Sequence, residues 1–258
     1  MSSPREAPAA AQRGIQSIEV GGALLKALAH HGRPLPLKDL AARAGMAPAK
    51  AHPYLVSFGK IGLVERDATG RYGLGPLAMQ LGLISLQALD PVALGSPLVE
   101  QLATELGHTT ALAVWGNHGA TIVRVAEANA PVHVSMRHGT VMSLRATASG
   151  RLFAAHLPRA QVAAALRAEG EPTRIEPELA TELERIRSAG FARVQGLALP
   201  GVSAMAAPVF DSSGSMVLAL TVIGPSAQLE GNTGRHAAQL LADAARRLSA
   251  QLGCREAA

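Results

Sequence analysis

Three runs of apolar residues at helical spacing, followed at once by two short strand-like runs, occupy residues 15 to 74 and restrict what that stretch can become. Ile15, Ile18, Leu25 and Leu28 suit one face of a helix that ends before Gly32, Pro34 and Pro36. Leu37, Leu40, Ala41 and Ala44 repeat the i, i+3, i+4, i+7 pattern in a second helix. Gly45 can take positive φ without steric cost and supplies a tight turn. After Met46 a third helix carries Ala51, Leu55, Phe58 and Gly62 on its inner side. Short helix, glycine turn and longer helix make a helix-turn-helix. Leu63 to Arg66 and Arg71 to Leu74 then read as strands about the turn Asp67, Ala68, Thr69, Gly70, which predicts a hairpin wing.

The charge is distributed unevenly along the chain. Residues 1 to 76 hold ten Lys/Arg against five Asp/Glu, while the remainder holds 14 of each, so the whole net charge of +5 lies in the N-terminal third. That is the pattern expected if this third meets a polyanion and the rest does not, although solubility alone can place charge the same way. At 258 residues and 48% hydrophobic composition, the chain has material for two cores, built mainly from Ala, Leu, Val and Ile because only 3% of it is aromatic.

Residues 1 to 12 read as a disordered leader rich in Ala, Ser and Pro, and 13 to 75 as the winged helix-turn-helix. Residues 76 to 90 predict a linker helix, and 91 to 254 a second domain. That domain opens with a helix carrying Leu94, Leu98, Leu102 and Leu106. Strands are expected at Ala111–Trp115, Thr121–Ala126 and Val132–Met136, then helices near Ala148–His156, Arg159–Arg167 and Pro177–Ala189. Strands at Phe191–Gln195, Val202–Phe210 and Val217–Ile223 and a closing helix from about Thr233 to Leu252 complete the reading. Hairpin-linked strands with helices grouped between them predict an α+β domain with a mainly antiparallel sheet.

No stretch approaches the roughly 20 consecutive apolar residues of a membrane span, and the start lacks the apolar core of a signal peptide, so a cytoplasmic protein fits best. The single cysteine, Cys254, excludes an intrachain disulfide framework and a cysteine-based metal cage. His118, His133 and His138 lack a recognisable ligand spacing, so neither a metal site nor a cofactor is expected. A hydrolase is disfavoured as well. Ser149 is not in a GxSxG elbow, His156 lies about two helical turns beyond it, and Asp211 belongs to a hairpin turn where Asp commonly bonds its own backbone.

Residues 45 to 67 (GMAPAKAHPYLVSFGKIGLVERD) and 70 to 76 (GRYGLGP) resemble the recognition helix and wing of the isocitrate lyase regulator (IclR) family. RATASGRLFAAHLP at 145 to 158, PGVSAMAAPVFDSSG at 200 to 214 and ALTVIGPS at 219 to 226 are similar to its effector-domain blocks. The resemblance implies a winged helix-turn-helix, a linker helix, a GAF-like effector domain, and dimers or tetramers on palindromic double-stranded operators. Ala49, Lys50, Pro53 and Ser57 fall on the helix face expected to enter the major groove, with Lys50 the best base or phosphate contact. The family usually has Ser or Thr at 49 and 50 and Arg at 53. Pro53 removes a helix hydrogen bond and is expected to delay the start of the helix or bend it. His52 is either a phosphate contact or a partly buried packing histidine. Arg66 and Arg71 are either phosphate or minor-groove contacts or parts of a solvated hairpin.

The resemblance also places an effector between the sheet and the segment Ala146, Thr147, Ala148, Ser149, Gly150. These small residues let a ligand approach unpaired backbone N–H groups, and a helix N-terminus favours an anion such as a carboxylate. They would equally allow the helix to pack tightly on the sheet. The walls implied are Met142, Leu144, Val194, Val202, Ala204, Thr221 and Ile223, drier than in relatives, which often carry an acid near 194, Cys at 204 and Ser at 221 and 223. That favours an effector with an apolar or aromatic body and one anionic end. A DNA-binding oligomer without ligand response remains the alternative.

Overall fold

The computed structural model describes residues 14–128 and 136–254, and the chain divides into two compact units at the Leu89–Asp90 step. The expected leader, and all of the strand expected at Val132–Met136 except Met136, lie outside the described residues.

The N-terminal unit contains α1 (Gln16–His31), α2 (Leu37–Arg43), α3 (Pro48–Lys60), a hairpin of β1 (Val64–Arg66) and β2 (Tyr72–Leu74), and α4 (Pro76–Ala88). Its core gathers Leu24, Leu28, Leu35, Leu40, Ala41, Ala51, Leu55, Val64 and Tyr72. Gly45 sits between α2 and α3 at φ 68°, and the amide of Met46 bonds back to the carbonyl of Ala41 at 3.0 Å. The hairpin is antiparallel, pairing Val64 with Leu74 and Arg66 with Tyr72, and Leu35 bridges to Tyr72 on the far side. One part of the expected core is corrected. Ile15 and Ile18 are exposed, because α1 packs through Gly21, Leu24, Ala27 and Leu28 and so turns the earlier isoleucines outward. Helix α4 is apolar on all sides, yet none of its residues is buried, and Met79, Leu81, Leu83, Ile84 and Leu86 are each more than half exposed.

Among the described residues the C-terminal unit is a five-stranded antiparallel sheet covered by helices. In chain order it contains α5 (Pro91–Leu106), β3 (Thr109–Gly116), β4 (Gly119–Ala126), α6 (Ala148–His156), α7 (Arg159–Ala168), α8 (Pro177–Ala189), β5 (Ala192–Gln195), β6 (Val202–Phe210), β7 (Met216–Pro225) and α9 (Gly231–Gln251). The strand order is β4-β3-β7-β6-β5, so the last strand in sequence lies in the middle. Strand residues alternate between faces. Ala111, Ala113, Ala206 and Ala219 join a core with Leu152, Phe153, Leu166 and Ile186 from α6 to α8. Leu112 turns the other way, against Gly95 of α5 and towards Leu248 of α9. The side chain of Asp90 caps α5 by accepting from the amides of Val92 and Ala93 at 2.9 and 3.1 Å. No single helix among the described residues is long and apolar enough to cross a membrane.

Candidate functional site

Helix α3 starts at Pro48 and runs to Lys60, so Pro53 does not delay its start. Pro48 suits the first helical position, where its missing N–H has no intrahelical partner to lose. Pro53 withholds an N–H only from the carbonyl of Ala49, one turn earlier and on the exposed side where water can take that donor's place. Ala51 and Leu55 are buried, whereas Ala49, Lys50, His52, Pro53 and Ser57 are exposed. Of the two readings left for His52, packing is therefore disfavoured. It lines a groove between α3 and the hairpin together with Val56, Glu65, Arg66 and Tyr72.

The hairpin turn is held from within. Asp67 accepts from the Thr69 hydroxyl at 2.6 Å and from the Thr69 and Arg71 amides at 2.9 and 3.0 Å, and it pairs with Nε of Arg71 at 2.8 Å. The Thr69 hydroxyl, then the Arg71 amide, hold its carboxyl well below the usual carboxylate range. Arg66 lies over the Tyr72 ring, 5.1 Å from its centroid, and donates from Nε to the Gly70 carbonyl at 3.3 Å. Both arginines are exposed and use the nitrogen nearest the chain for these contacts, so their guanidinium tips are carried at the hairpin turn.

In the C-terminal unit a cavity of about 120 Å³ opens at the start of α6. Of the residues named for an effector site, it brings together Met142, Thr147, Ala148, Ser149, Val194, Val202, Ala204, Thr221 and Ile223. Leu144 and Gly150 do not. Leu144 is buried in the core beside Leu152 and Phe153, and Gly150 is pressed against the backbone of Ser143 and Leu144. Met136, Ala146, Ala198 and Leu199 complete the wall. Among the described residues no charged side chain lines it.

Thr147 is the N-cap of α6, accepting from the Gly150 amide at 3.0 Å while its hydroxyl donates to the Ser143 carbonyl at 2.8 Å. The Ala148 and Ser149 residues are buried, and their amides, in the first turn, have no acceptor among the described residues. The hydroxyls of Ser149 and Thr221 bond to each other at 3.0 Å at the base of the cavity.

Residues 17–68 match the family described as the IclR helix-turn-helix domain, and residues 84–250 match Bacterial transcriptional regulator IclR C-terminal. The chain belongs to the IclR family. The glycerol operon regulatory protein of Streptomyces coelicolor is 30% identical over 93% of this chain and 98% of its own length. The transcriptional repressor AllR of Klebsiella pneumoniae is 24% identical over 97% and 94%. The crystal structure of Pseudomonas aeruginosa HmgR superposes with a TM-score of 0.87 at 36% identity, covering 94% of this chain and all of that one. These IclR-family relatives with stated roles are transcriptional regulators, not enzymes, and the family's N-terminal domain binds DNA.

The groups weighed as a hydrolase triad are not brought together. Ser149 bonds to Thr221, His156 bonds through Nδ1 to the carbonyl of Leu152 at 2.9 Å, and Asp211 accepts from Ser213 and Ser215. Among the described residues no three His, Cys, Asp or Glu side chains form a metal-holding group; His133 is outside them.

Ala198 and Leu199 escaped the sequence reading because they sit in the connection between β5 and β6, where no periodicity points a side chain inward. Arg145 was missed too. It donates to Glu176 and to the carbonyls of Pro172 and Arg174 at 2.7 and 2.8 Å, tying down the loop before α8 from the residue next to the cavity wall.

Thr221→Val, which keeps shape but removes the hydroxyl, leaves the buried Ser149 hydroxyl without that partner. We expect it to destabilise the C-terminal unit by about 1–3 kcal/mol, and the double variant Ser149→Ala/Thr221→Val to recover most of the loss. Urea unfolding followed by Trp115 fluorescence measures both. Equal stability of the two variants would show that leaving the Ser149 hydroxyl unpaired costs nothing.

Proposed function

We propose that this protein is a ligand-responsive transcriptional regulator, a repressor or an activator, working in the cytoplasm on palindromic double-stranded operator DNA. In this reading residues 13–75 bind DNA, 76–90 form the linker helix and 91–254 sense a small apolar or aromatic carboxylate. Ala49, Lys50, His52, Pro53 and Ser57 of α3 face the major groove, with Arg66 and Arg71 of the wing on the backbone or in the minor groove. The exposed α3 face and the positively charged N-terminal third support that assignment. The apolar, uncovered surface of α4 supports a homodimer or homotetramer, whose symmetry a palindrome would match.

The observation that carries the sensing half is the pair of buried amides, Ala148 and Ser149, without an acceptor at the edge of a dry cavity. A buried donor without a partner is costly, and a carboxylate there would accept both amides at the positive end of α6. Apart from the hydroxyls of Thr147, Ser149 and Thr221, which already bond within the protein, the described wall is apolar and would leave most hydroxyls of a polyhydroxy acid unpaired. The cavity's 120 Å³ is close to that of engineered apolar cavities of roughly 150 Å³ that take up one benzene, which points to a single-ring or branched acid.

Titration with a panel of acids, read by thermal melting and calorimetry, tests this. At a hundredfold excess over Kd, a fitting acid should stabilise the fold by about 2.7 kcal/mol and raise the melting midpoint by roughly 5–10 °C. Tight binding of glyoxylate with none of aromatic or branched acids would refute the proposed class. Operator binding unmoved by every acid would favour an oligomer without ligand response. Ala204→Phe, which fills the cavity from β6, should abolish the acid response while leaving operator binding intact. A variant that still responds would place the effector elsewhere.

A further inference from the structure

At 100° per residue, the line of α3 directly opposite the buried Ala51 and Leu55 and the half-buried Phe58 is made by Ala49, Pro53, Val56 and Lys60. Its first three members are apolar and exposed; Val56 retains 43% of its surface. Side chains with hydrogen-bonding groups stand to either side, Lys50 and Ser57 on one flank and His52 on the other. The Ser57 hydroxyl is drawn back onto its own helix, donating to the Pro53 carbonyl at 3.0 Å. Until Lys60, the central line therefore offers bases no side-chain donor or acceptor. Guanine is commonly read by a bidentate Arg or Lys and adenine by Asn or Gln, and no Arg, Asn or Gln lies on α3.

The major groove presents one apolar group at the base edges, the C5-methyl of thymine. We propose that this regulator reads its half-site through thymine methyls packed against Ala49, Pro53 and Val56, with Lys50 and Lys60 on the flanking phosphates. The proposal rests on the assignment of α3 to the major groove. From residue 49 to residue 56 the strip is about 10 Å long at the helical rise of 1.5 Å per residue, which spans about three base pairs at 3.4 Å each. The contacted thymines should therefore fall within one window of three base pairs per half-site. Pro53 suits this use. Its ring is apolar and has little side-chain entropy to lose. A protein partner is a poorer occupant, because lysines border the strip and the N-terminal third carries all the net positive charge.

The test uses the full-length protein and DNA substitutions, which put no demand on protein folding. Operator sites are selected from random duplex DNA. Each thymine in the selected half-site is then replaced by deoxyuridine, which removes only the methyl. Each contacted position should weaken binding about fourfold, the factor expected for one buried methyl group. The dependence on salt should stay unchanged, because no phosphate contact is lost. Restoring a methyl as 5-methylcytosine, where a cytosine replaces a contacted thymine, should recover part of the loss. Val56→Ser should bring the thymine-to-uracil ratio at its own position towards one. A selected operator that binds equally well with uracil throughout, or has no thymine in the contacted window, overturns the inference and leaves DNA binding intact. Failure to enrich any DNA would overturn the major-groove assignment beneath it.

Discussion

Gly150→Ala is expected to loosen the C-terminal unit severely, the reverse of the usual gain from replacing a helical glycine by alanine. Elsewhere in a helix that exchange stabilises by roughly 0.5–1 kcal/mol, because glycine gives up more chain freedom. At Gly150 an added Cβ would stand 2.1 Å from the Ser143 carbonyl oxygen, 2.7 Å from its carbon and 2.8 Å from Cα of Leu144. All three are backbone atoms, so no side chain can swing aside. Helix α6 would have to lift from the segment that carries Leu144 into the core and Ser143 into the Thr147 cap. Overpacking costs about 1–3 kcal/mol and loss of a cap about 1 kcal/mol more. Together these are a large share of the roughly 5–15 kcal/mol that holds a domain. Trp115, the chain's single tryptophan, lies in this unit 5.7 Å from the Phe153 ring, so urea unfolding by its fluorescence reports on the right half. A midpoint equal to or above that of the parent would mean that α6 is not seated on Ser143 and Leu144.

The second large effect is expected at α4. A helix apolar all round is normally a buried helix, yet no residue of this one is buried and only Leu77 and Ala78 are partly covered. If a second copy covers it, Leu83→Glu with Ile84→Glu places two charges in that seam and should yield monomers by analytical ultracentrifugation. Both residues are exposed in the single chain, so the fold of each protomer should survive. Operator affinity should then fall by about 10²–10⁴, the range by which linking two binding modules exceeds either alone. A double variant that stays oligomeric with parental affinity for the operator would locate the assembly surface elsewhere.

Local patterns were legible and non-local ones were not. The turn at Gly45 and the hairpin about Asp67 could be read because each depends on a few adjacent residues. The misplacement of Ile15 and Ile18 shows the limit of periodicity. Apolar residues at helical spacing define a stripe, but Gly21, Leu24, Ala27 and Leu28 define another, and only the packing partners decide which turns inward. Most of the cavity wall was foreseen through the family resemblance, on strands whose alternation is regular. Leu144 and Gly150 failed because they precede and follow the helix cap, where the chain turns sharply and neighbours in sequence face different ways. Pro53 was judged by its cost in a helix interior. The helix nonetheless spans Pro48–Lys60, with the missing hydrogen bond on the exposed side, early in the helix.

The position of β7 bears on how the chain is made. Its residues 216–225 sit between β3 and β6, and β3 pairs with it across more than a hundred residues of intervening chain, as in Ala113 with Ala219. During synthesis the sheet cannot close until nearly all of the chain has left the ribosome, whereas α1 to β2 make contacts that are close in sequence and can assemble far earlier. A nascent or prematurely terminated chain would thus acquire its helix-turn-helix unit before its C-terminal unit. The uncovered, apolar α4 would be the trailing end of that fragment and an obvious target for chaperones and proteases.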